Sequence, residues 1–181
     1  MKNLNLFLIS ILLILLFLYY FIKNYPSNIN MKAIAVFQGQ LKGSYCTFFQ
    51  ENSKSPVKIN VHVVNLTPGK HGFHIHEKGN LLKSDCTECG GHWNPTNKQH
   101  GGLKDSNSHA GDLGNISAND LGQVNTHLST NKITLFGKNS ILGRSIIVHN
   151  DEDDLGKGDH DDSLTTGHAG KRLDCAIIGY A

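Results

Sequence analysis

The chain has 181 residues, a length that suits one domain plus an extra segment and argues against two domains. Its hydrophobic content of 39% fits a globular chain that builds its own core. Of the 17 basic residues, Lys2 and Lys23 flank the N-terminal segment, and the rest of the chain carries 15 basic and 15 acidic residues. With no net charge and no basic patch, we expect no nucleic-acid partner.

The chain begins with an apolar run over residues 4–22, in which Asn5 and Ser10 are the only strongly polar members. A helix rises about 1.5 Å per residue, so a run of this length matches the hydrocarbon core of a bilayer. Residues 1–22 are therefore predicted to form a hydrophobic helix that acts as a transmembrane segment or signal-anchor. The positive charge before the run favours a translocated domain.

Two alternatives to an anchor stay open at this stage. A cleaved signal peptide would give a secreted protein, although the segment lacks a small-residue cleavage site. Translation from Met31 would give a cytoplasmic protein, because MKAIAVFQG reads as the start of a first strand. Residues 23–30 are polar, contain Pro26 and are predicted to be a linker, and residues 31–181 are predicted to be the folded domain.

Apolar and polar residues alternate in several short stretches after residue 31, with the period of two that marks a half-buried β-strand. The clearest case is VKINVHVV at residues 57–64. Further strands are predicted at residues 32–38, 132–136, 145–149 and 174–180. No long amphipathic helix follows residue 31, so the predicted fold is an antiparallel sandwich or barrel.

Two connections, at about residues 77–113 and 150–172, are too long for hairpin turns, and loops of this size are usually functional. Both are rich in His and Asp. His74 and His76 form a His-x-His pair in a predicted strand, where alternation places both imidazoles on one face and within reach of one metal ion. Further His residues and one Asp on the loops and a distant strand extend this pair to a set typical of copper and zinc binding.

These residues resemble the copper,zinc superoxide dismutases. The matching motifs are GFHIHE (72–77), GGHWNP (90–95), HGGLKD (100–105), HAGDLGN (109–115), GRSIIVH (143–149), DDLGKG (153–158) and TGHAGKRLDC (166–175). They follow the family's order from about residue 32 to the C-terminus and do not include the leader. The resemblance implies an eight-stranded antiparallel Greek-key sandwich or flattened barrel with two long functional loops.

The resemblance also implies one copper and one zinc ion per subunit. The implied copper ligands are His74, His76, His92 and His149. The implied zinc ligands are His92, His100, His109 and Asp112, so that His92 bridges the two ions. Asp153 is expected to hydrogen-bond a ligand of each ion. Arg172 is expected to attract and orient the anion, which makes Arg172 and His92 the expected catalytic residues.

The implied activity is that of an oxidoreductase in antioxidant defence. Two superoxide anions are disproportionated to O2 and hydrogen peroxide as copper cycles between Cu(II) and Cu(I) next to a structural zinc. A C2 homodimer is the expected assembly, and a copper chaperone is a further candidate partner. A copper buffer or delivery protein on the same fold is the alternative, which the complete set of seven ligands and Arg172 disfavours.

The four cysteines have different expected roles. The resemblance pairs Cys86 with Cys175 in a disulfide, and Cys46 is expected to be a small buried hydrophobe. Cys89 completes a CxxC with Cys86 and could compete for that disulfide. The remaining histidines have no ligand role in the motifs: His160 and His168 are expected to be solvated loop residues, and His62, His71 and His127 structural.

Overall fold

The computed structural model describes residues 2–24 and 29–181, and the side chains of residue 8, residues 10–20 and residues 29–181. Helix α1 spans Lys2–Asn24, and its described apolar side chains are exposed. Among the described residues, no helix is long and apolar enough to cross a membrane. The predicted membrane anchor over residues 4–22 is therefore not supported. Half of the predicted linker 23–30, namely residues 25–28, lies outside the described residues.

Two antiparallel sheets form the body of the molecule, with nine strands in the described part of the chain. The strands are β1 Met31–Val36, β2 Tyr45–Gln50, β3 Val57–Val63, β4 Gly69–His76, β5 Asp112–Ala118, β6 Val124–Thr130, β7 Ser145–His149, β8 Arg172–Ile177 and β9 Gly179–Tyr180. The five-stranded sheet has the order β6-β3-β2-β1-β9, and the four-stranded sheet has the order β5-β4-β7-β8. Because β3 pairs with β6 and β4 with β7, the chain crosses between the sheets in a Greek-key pattern.

The predicted all-β sandwich is confirmed, with nine strands in the described part of the chain in place of the expected eight. The sheets stay separate, so the structure is not a closed barrel. The predicted strand at 174–180 is also two strands, which raises the count from eight to nine. The chain leaves the four-stranded sheet at Ile178, which is fully buried, and Gly179 and Tyr180 then pair with β1. The predicted strand at 174–180 therefore contributes one strand to each sheet.

The core fills the space between the sheets. In β3 the side chains of Val57, Ile59, Val61 and Val63 are all buried, as the alternation predicts, whereas the polar residues between them face outward. Phe37, Phe48 and Phe73 fill the centre of the same core. Cys46 is buried there as well, and burial raises the pKa of its thiol well above the usual value.

The predicted strand at 132–136 is wrong. Ile133 and Leu135 do point into the core, which accounts for the alternation. The backbone, however, makes only an isolated bridge between Thr134 and Ser140. The Leu135 N–H instead donates a hydrogen bond to Oε1 of Gln50 at 2.7 Å, and the Thr134 hydroxyl donates to the same oxygen at 3.1 Å. The buried side chain of Gln50 thus accepts the hydrogen bonds that a neighbouring strand would otherwise accept.

Both predicted long loops are present and flank the four-stranded sheet. The first joins β4 to β5 and contains one short 3-10 helix, η1 (Thr87–Cys89). The second joins β7 to β8 and contains the four-residue helix α2 (Ser163–Thr166). A disulfide between Cys86 and Cys175, with a Cα–Cα distance of 6.1 Å, ties the first loop to β8. This is the pairing that the resemblance implies.

Candidate metal centre

The outer face of the four-stranded sheet carries three histidines. His74 and His76 alternate with Phe73 and Ile75, whose side chains enter the core, so both imidazoles project from the opposite face. His149 ends the neighbouring strand β7. All three side chains are buried beneath the loops. The predicted chelate geometry of the His-x-His pair is therefore present.

The first loop brings His92, His100 and His109 to this face, and Asp112, at the start of β5, completes two groups. In each group, the candidate ligand atoms all lie within 4.8 Å of one another. The first group is His74, His76, His92 and His149, and the second is His92, His100, His109 and Asp112. Every member is buried, and His92 belongs to both groups. These are the two sets that the sequence motifs predict.

In the second group, one carboxylate oxygen lies among three imidazoles. Asp112 Oδ1 is 2.8 Å from Nδ1 of His92, 3.1 Å from Nδ1 of His100 and 3.2 Å from Nδ1 of His109. The other oxygen, Oδ2, accepts hydrogen bonds from the backbone N–H groups of Gly101 and His109. Three nitrogens and one oxygen converge in this way, which is the donor set of a tetrahedral zinc site.

In the first group, hydrogen bonds fix which ring nitrogen stays free. His76 Nδ1 donates to the Gly90 carbonyl oxygen at 2.9 Å, and His149 Nδ1 donates to the Gly170 carbonyl oxygen at 3.3 Å. Their Nε2 atoms lie 3.4 Å apart. His74 is the opposite tautomer, because its Nε2 donates a hydrogen bond to Asp153 and its Nδ1 is left available. Each imidazole therefore presents one lone pair to a shared point.

Three buried nitrogen atoms have no hydrogen-bond partner among the described residues: His74 Nδ1, His92 Nε2 and His100 Nδ1. Unsatisfied buried polar atoms are rare in folded proteins because their desolvation is not repaid. His74 belongs to the first group and His100 to the second, and His92 belongs to both groups. Copper and zinc, which prefer imidazole ligands, fit this donor set.

Asp153 links the two groups by hydrogen bonds to one histidine of each. Its Oδ2 accepts a hydrogen bond from His74 Nε2, and its Oδ1 accepts one from His100 Nε2, both at 2.8 Å. The sequence predicts both contacts. It gives no indication of Asn115, whose side-chain amide bonds the N–H and the carbonyl oxygen of Asp153 at 2.8 Å each. Asn115 lies within the motif HAGDLGN, but no spacing argument distinguishes it.

Glycine is required beside Asp153. Gly167 has φ of +70°, in the left-handed region that favours glycine. A Cβ at this position would overlap Oδ1 of Asp153 and Nε2 of His100. The second loop therefore packs directly on the hydrogen bond that links the two groups.

Burial and mutual repulsion keep the first group neutral. Burial, with repulsion from His92, lowers the pKa values of His74 and His76 well below the usual range and lowers the pKa of His149 to about 4. Burial likewise lowers the pKa of His92. Neutral imidazole is the form that binds metal ions, so these residues need not release a proton to do so at neutral pH.

The second group has the opposite charge pattern. Burial disfavours the charged form of His100, but the close contacts of its ring with the carboxylates of Asp112 and Asp153 outweigh burial and raise the pKa of His100 to about 9. Burial would raise the pKa of Asp112, but its close contacts with the imidazoles of His100, His109 and His92 hold that pKa far below the usual range. Asp112 therefore carries a negative charge at all ordinary pH values, which favours a bound cation.

Arg172 lies at the edge of the first group. It starts β8 and pairs in register with His149. Its Nη1 donates to the carbonyl oxygen of Cys86 at 2.6 Å, and its Nη2 donates to that of Gly90, also at 2.6 Å. The half-buried guanidinium lines a surface cleft with Asp85, Thr87, Gly170 and Lys171. Gly170, which also lines this cleft, accepts a hydrogen bond from Nδ1 of His149 through its carbonyl oxygen.

The other histidines and the free thiols lie outside both groups. His71 is buried, and its ring bonds the carbonyl oxygens of Thr67 and His149, which is the structural role expected of it. His160 and His168 are exposed and stack with 3.6 Å between ring centroids. Cys89 is a buried free thiol that packs with Cys86 and Cys175.

Comparison with known proteins agrees with this geometry. The family model described as copper/zinc superoxide dismutase (SODC) matches residues 43–178. The chain is also similar to superoxide dismutase [Cu-Zn] 5 of Dictyostelium discoideum, with 49% identity over 151 residues that cover 83% of this chain and 99% of that relative. The chain belongs to the copper/zinc superoxide dismutase family.

Proposed function

We propose that the residues assembled around His92 disproportionate superoxide: two superoxide anions and two protons give O2 and hydrogen peroxide. Family membership makes the chain an oxidoreductase with copper and zinc as cofactors. The proposed copper ligands are His74, His76, His92 and His149, and the proposed zinc ligands are His92, His100, His109 and Asp112. The observation that carries this proposal is the one shared imidazole, His92, with a donor atom for each group.

When bound, copper supplies one-electron redox chemistry and zinc supplies a fixed positive charge. The protein provides the rest of the catalytic machinery. Arg172 binds the superoxide anion at the cleft, and its two carbonyl contacts hold the guanidinium in place before the substrate arrives. Its charge also attracts the anion from solution.

His92 is proposed to carry a proton to the product. Its Nδ1 stays beside Asp112 Oδ1 at 2.8 Å, whereas its Nε2 has no hydrogen-bond partner among the described residues. A proton held at Nε2 lies on the side of the first group, where the reduced substrate needs it. Asp153 positions His74 and His100 and does not itself contact the substrate.

Metal analysis of two matched variants tests the ligand assignment. His149→Ala removes a ligand from the first group alone, and His109→Ala removes one from the second group alone. We expect His149→Ala to lose copper and keep about one zinc ion, and His109→Ala to lose zinc first. Equal losses of both metals in both variants would contradict the assignment.

We propose a C2 homodimer formed through apolar side chains at the end of the chain and on the first loop. Tyr180 is 75% exposed and Leu82 is 87% exposed, and Ile177, close to Tyr180 in sequence, is exposed as well. Such side chains are common in interfaces between subunits. Light scattering should give the mass of two chains, and Ile177→Glu should give that of one. Leu121→Glu, at an exposed apolar site in the turn between β5 and β6, is the control.

We propose that a copper chaperone delivers copper, because the four residues of the first group are all buried beneath the loops. Entry of the ion therefore requires the loops to open. Cys86 ties the first loop to β8, so reduction of its disulfide should speed copper uptake from a Cu(I)–thiolate donor. Equal uptake rates for the oxidised and reduced protein would contradict this.

We propose that residues 31–181 form the catalytic domain and that the mature protein begins near its first strand. Two routes would produce this N-terminus: cleavage of a secretory signal peptide, and translation from Met31. N-terminal sequencing of the mature protein distinguishes the two routes. Cleavage of a signal gives a secreted product whose first residue lies near residue 30, whereas translation from Met31 gives a cytoplasmic product that begins at Met31. A mature protein that begins at Met1 would contradict both.

A further inference from the structure

The outer face of the five-stranded sheet carries a second pair of histidines, His62 and His127, far from the face that carries the metal centre in the other sheet. The strand register sets two rows of side chains across β2, β3 and β6. One row is Tyr45, His62 and Asn125, and the other is Thr47, Asn60 and His127. The two histidines therefore occupy diagonal positions on one face, on neighbouring strands.

Side chains at such diagonal positions have Cα atoms about 7–8 Å apart, within reach of long and aromatic side chains. Among the described strands, β6 is at the edge of this sheet, so no strand lies beside it beyond His127. His127 is exposed and His62 is half-buried, so both rings are open to solvent. The same residues line a shallow groove with Thr126 and Val61.

Each ring is held by the asparagine directly opposite. His62 Nδ1 lies 2.7 Å from Oδ1 of Asn125, and His127 Nδ1 lies 2.7 Å from Oδ1 of Asn60. The orientation of the Asn60 amide is fixed independently, because its Nδ2 donates to the Thr47 hydroxyl at 3.2 Å. An amide oxygen only accepts hydrogen bonds, so Nδ1 carries the proton in both rings.

Consequently the Nε2 lone pair is available in both neutral rings. Neither Nε2 has a hydrogen-bond partner in the part of the chain that the structure describes. A histidine that donates from one ring nitrogen to a carbonyl oxygen and presents the other nitrogen is arranged as metal-binding histidines are. Here two such rings lie at diagonal positions on neighbouring strands of one sheet.

We propose that His62 and His127 form a separate, solvent-exposed site for a divalent transition-metal ion. Imidazole ligands suit Cu²⁺, Ni²⁺ and Zn²⁺, and two of them leave the remaining positions on the ion to water. Asn125 and Asn60 hold the rings in the binding tautomer. The site shares no residue with the catalytic groups, so its occupation does not require their opening.

The test is calorimetric titration of the copper- and zinc-loaded full chain with Ni²⁺, with metal analysis to show that copper and zinc are retained. We expect one Ni²⁺ per chain. Asn125→Ala should weaken binding about tenfold, because it releases the His62 tautomer. His62→Asn and His127→Asn should each weaken it further. All three substitutions lie on an exposed face, so unchanged superoxide decay rates show that the variants are folded.

The matched control is His168→Asn, which removes an exposed histidine of the other exposed pair. We expect this variant to bind Ni²⁺ as the unmodified chain does. The proposal is overturned if the unmodified chain takes up no additional Ni²⁺, if both His62→Asn and His127→Asn bind with unchanged affinity, or if His168→Asn abolishes the binding.

Discussion

Arg172 and His76 donate hydrogen bonds to the same acceptor, the carbonyl oxygen of Gly90. The distances are 2.6 Å from Nη2 of Arg172 and 2.9 Å from Nδ1 of His76. One backbone atom therefore fixes both the group that we propose binds the anion and the tautomer of a proposed copper ligand. The disulfide at Cys86 supports the same arrangement, since the Cys86 carbonyl oxygen accepts a second bond from Arg172.

Removing the Arg172 charge should slow the reaction without loss of metal. We expect Arg172→Ala to lower kcat/KM about tenfold or more, because steering of an anion by a fixed charge contributes about that much to association. Arg172→Lys should recover part of the loss, since it keeps the charge but cannot reach both carbonyl oxygens as a planar fork. Superoxide decay and copper content are measured together. A variant of unchanged kcat/KM would show that Arg172 does not guide the substrate.

Asp153→Asn should weaken binding of both metal ions. An amide offers one acceptor oxygen, whereas Asp153 accepts from His74 and from His100 with separate oxygens. Loss of such a hydrogen bond typically costs about 10–100-fold in metal affinity. Competition with a chelator measures the effect for each metal. Glu152→Gln, a neutralised neighbour whose side chain is exposed and pairs with Lys70, should bind both metals normally.

The metal-free protein should lose stability as the pH falls from about 6.5 towards 4. Burial and repulsion from His92 lower the pKa of His149 to about 4 in the folded chain, against about 6.5 when unfolded. In this interval the unfolded state binds a proton that the folded state does not, so acid favours unfolding. For His149 alone the loss between pH 7 and pH 5 is about 2 kcal/mol.

Denaturant unfolding of the metal-free protein at pH 7 and pH 5 measures this dependence. His149→Asn removes the titrating group, so its stability should differ less between the two pH values. His160→Asn, at an exposed site in the second loop, is the control and should keep the full dependence. Equal pH dependence in His149→Asn and the unmodified chain would contradict the assignment of this proton to His149.

Thiol labelling should distinguish the four cysteines. Cys46 and Cys89 are fully buried free thiols, so a thiol reagent should modify neither in the folded protein and both in the unfolded, unreduced protein. Peptide mapping should then recover the pair Cys86 and Cys175. A peptide linked through Cys86 and Cys89, or rapid labelling of Cys89 in the folded state, would show that Cys89 competes for the disulfide.

The resemblance predicts the two candidate ligand groups more completely than the apolar alternation predicts the strands. The His-x-His spacing identifies His74 and His76 as candidate ligands. The order of the family motifs then identifies the other members of the two groups. Strand β6, with the sequence VNTHLST, has a solvated face and an edge position, so it lacks the apolar alternation that identified β3. At 132–136 the alternation is real, but Gln50 takes the hydrogen bonds that a neighbouring strand would supply.

Some contacts of the metal centre leave no trace in the sequence. The Gly90 carbonyl oxygen acts through the backbone, which any residue would provide, and Asn115 acts on the backbone of Asp153. The leader shows the reverse case. Its composition matches a membrane helix, whereas no helix among the described residues is long and apolar enough to span a bilayer.

The most direct test of the proposed activity is the decay of superoxide generated by pulse radiolysis, followed with the copper- and zinc-loaded chain and with its His149→Ala variant. We predict decay that is proportional to enzyme concentration and far faster than spontaneous dismutation, with most of the acceleration lost in His149→Ala. Equal decay rates for the two proteins, or no acceleration by the fully loaded chain, would contradict superoxide dismutation at the His92-centred site.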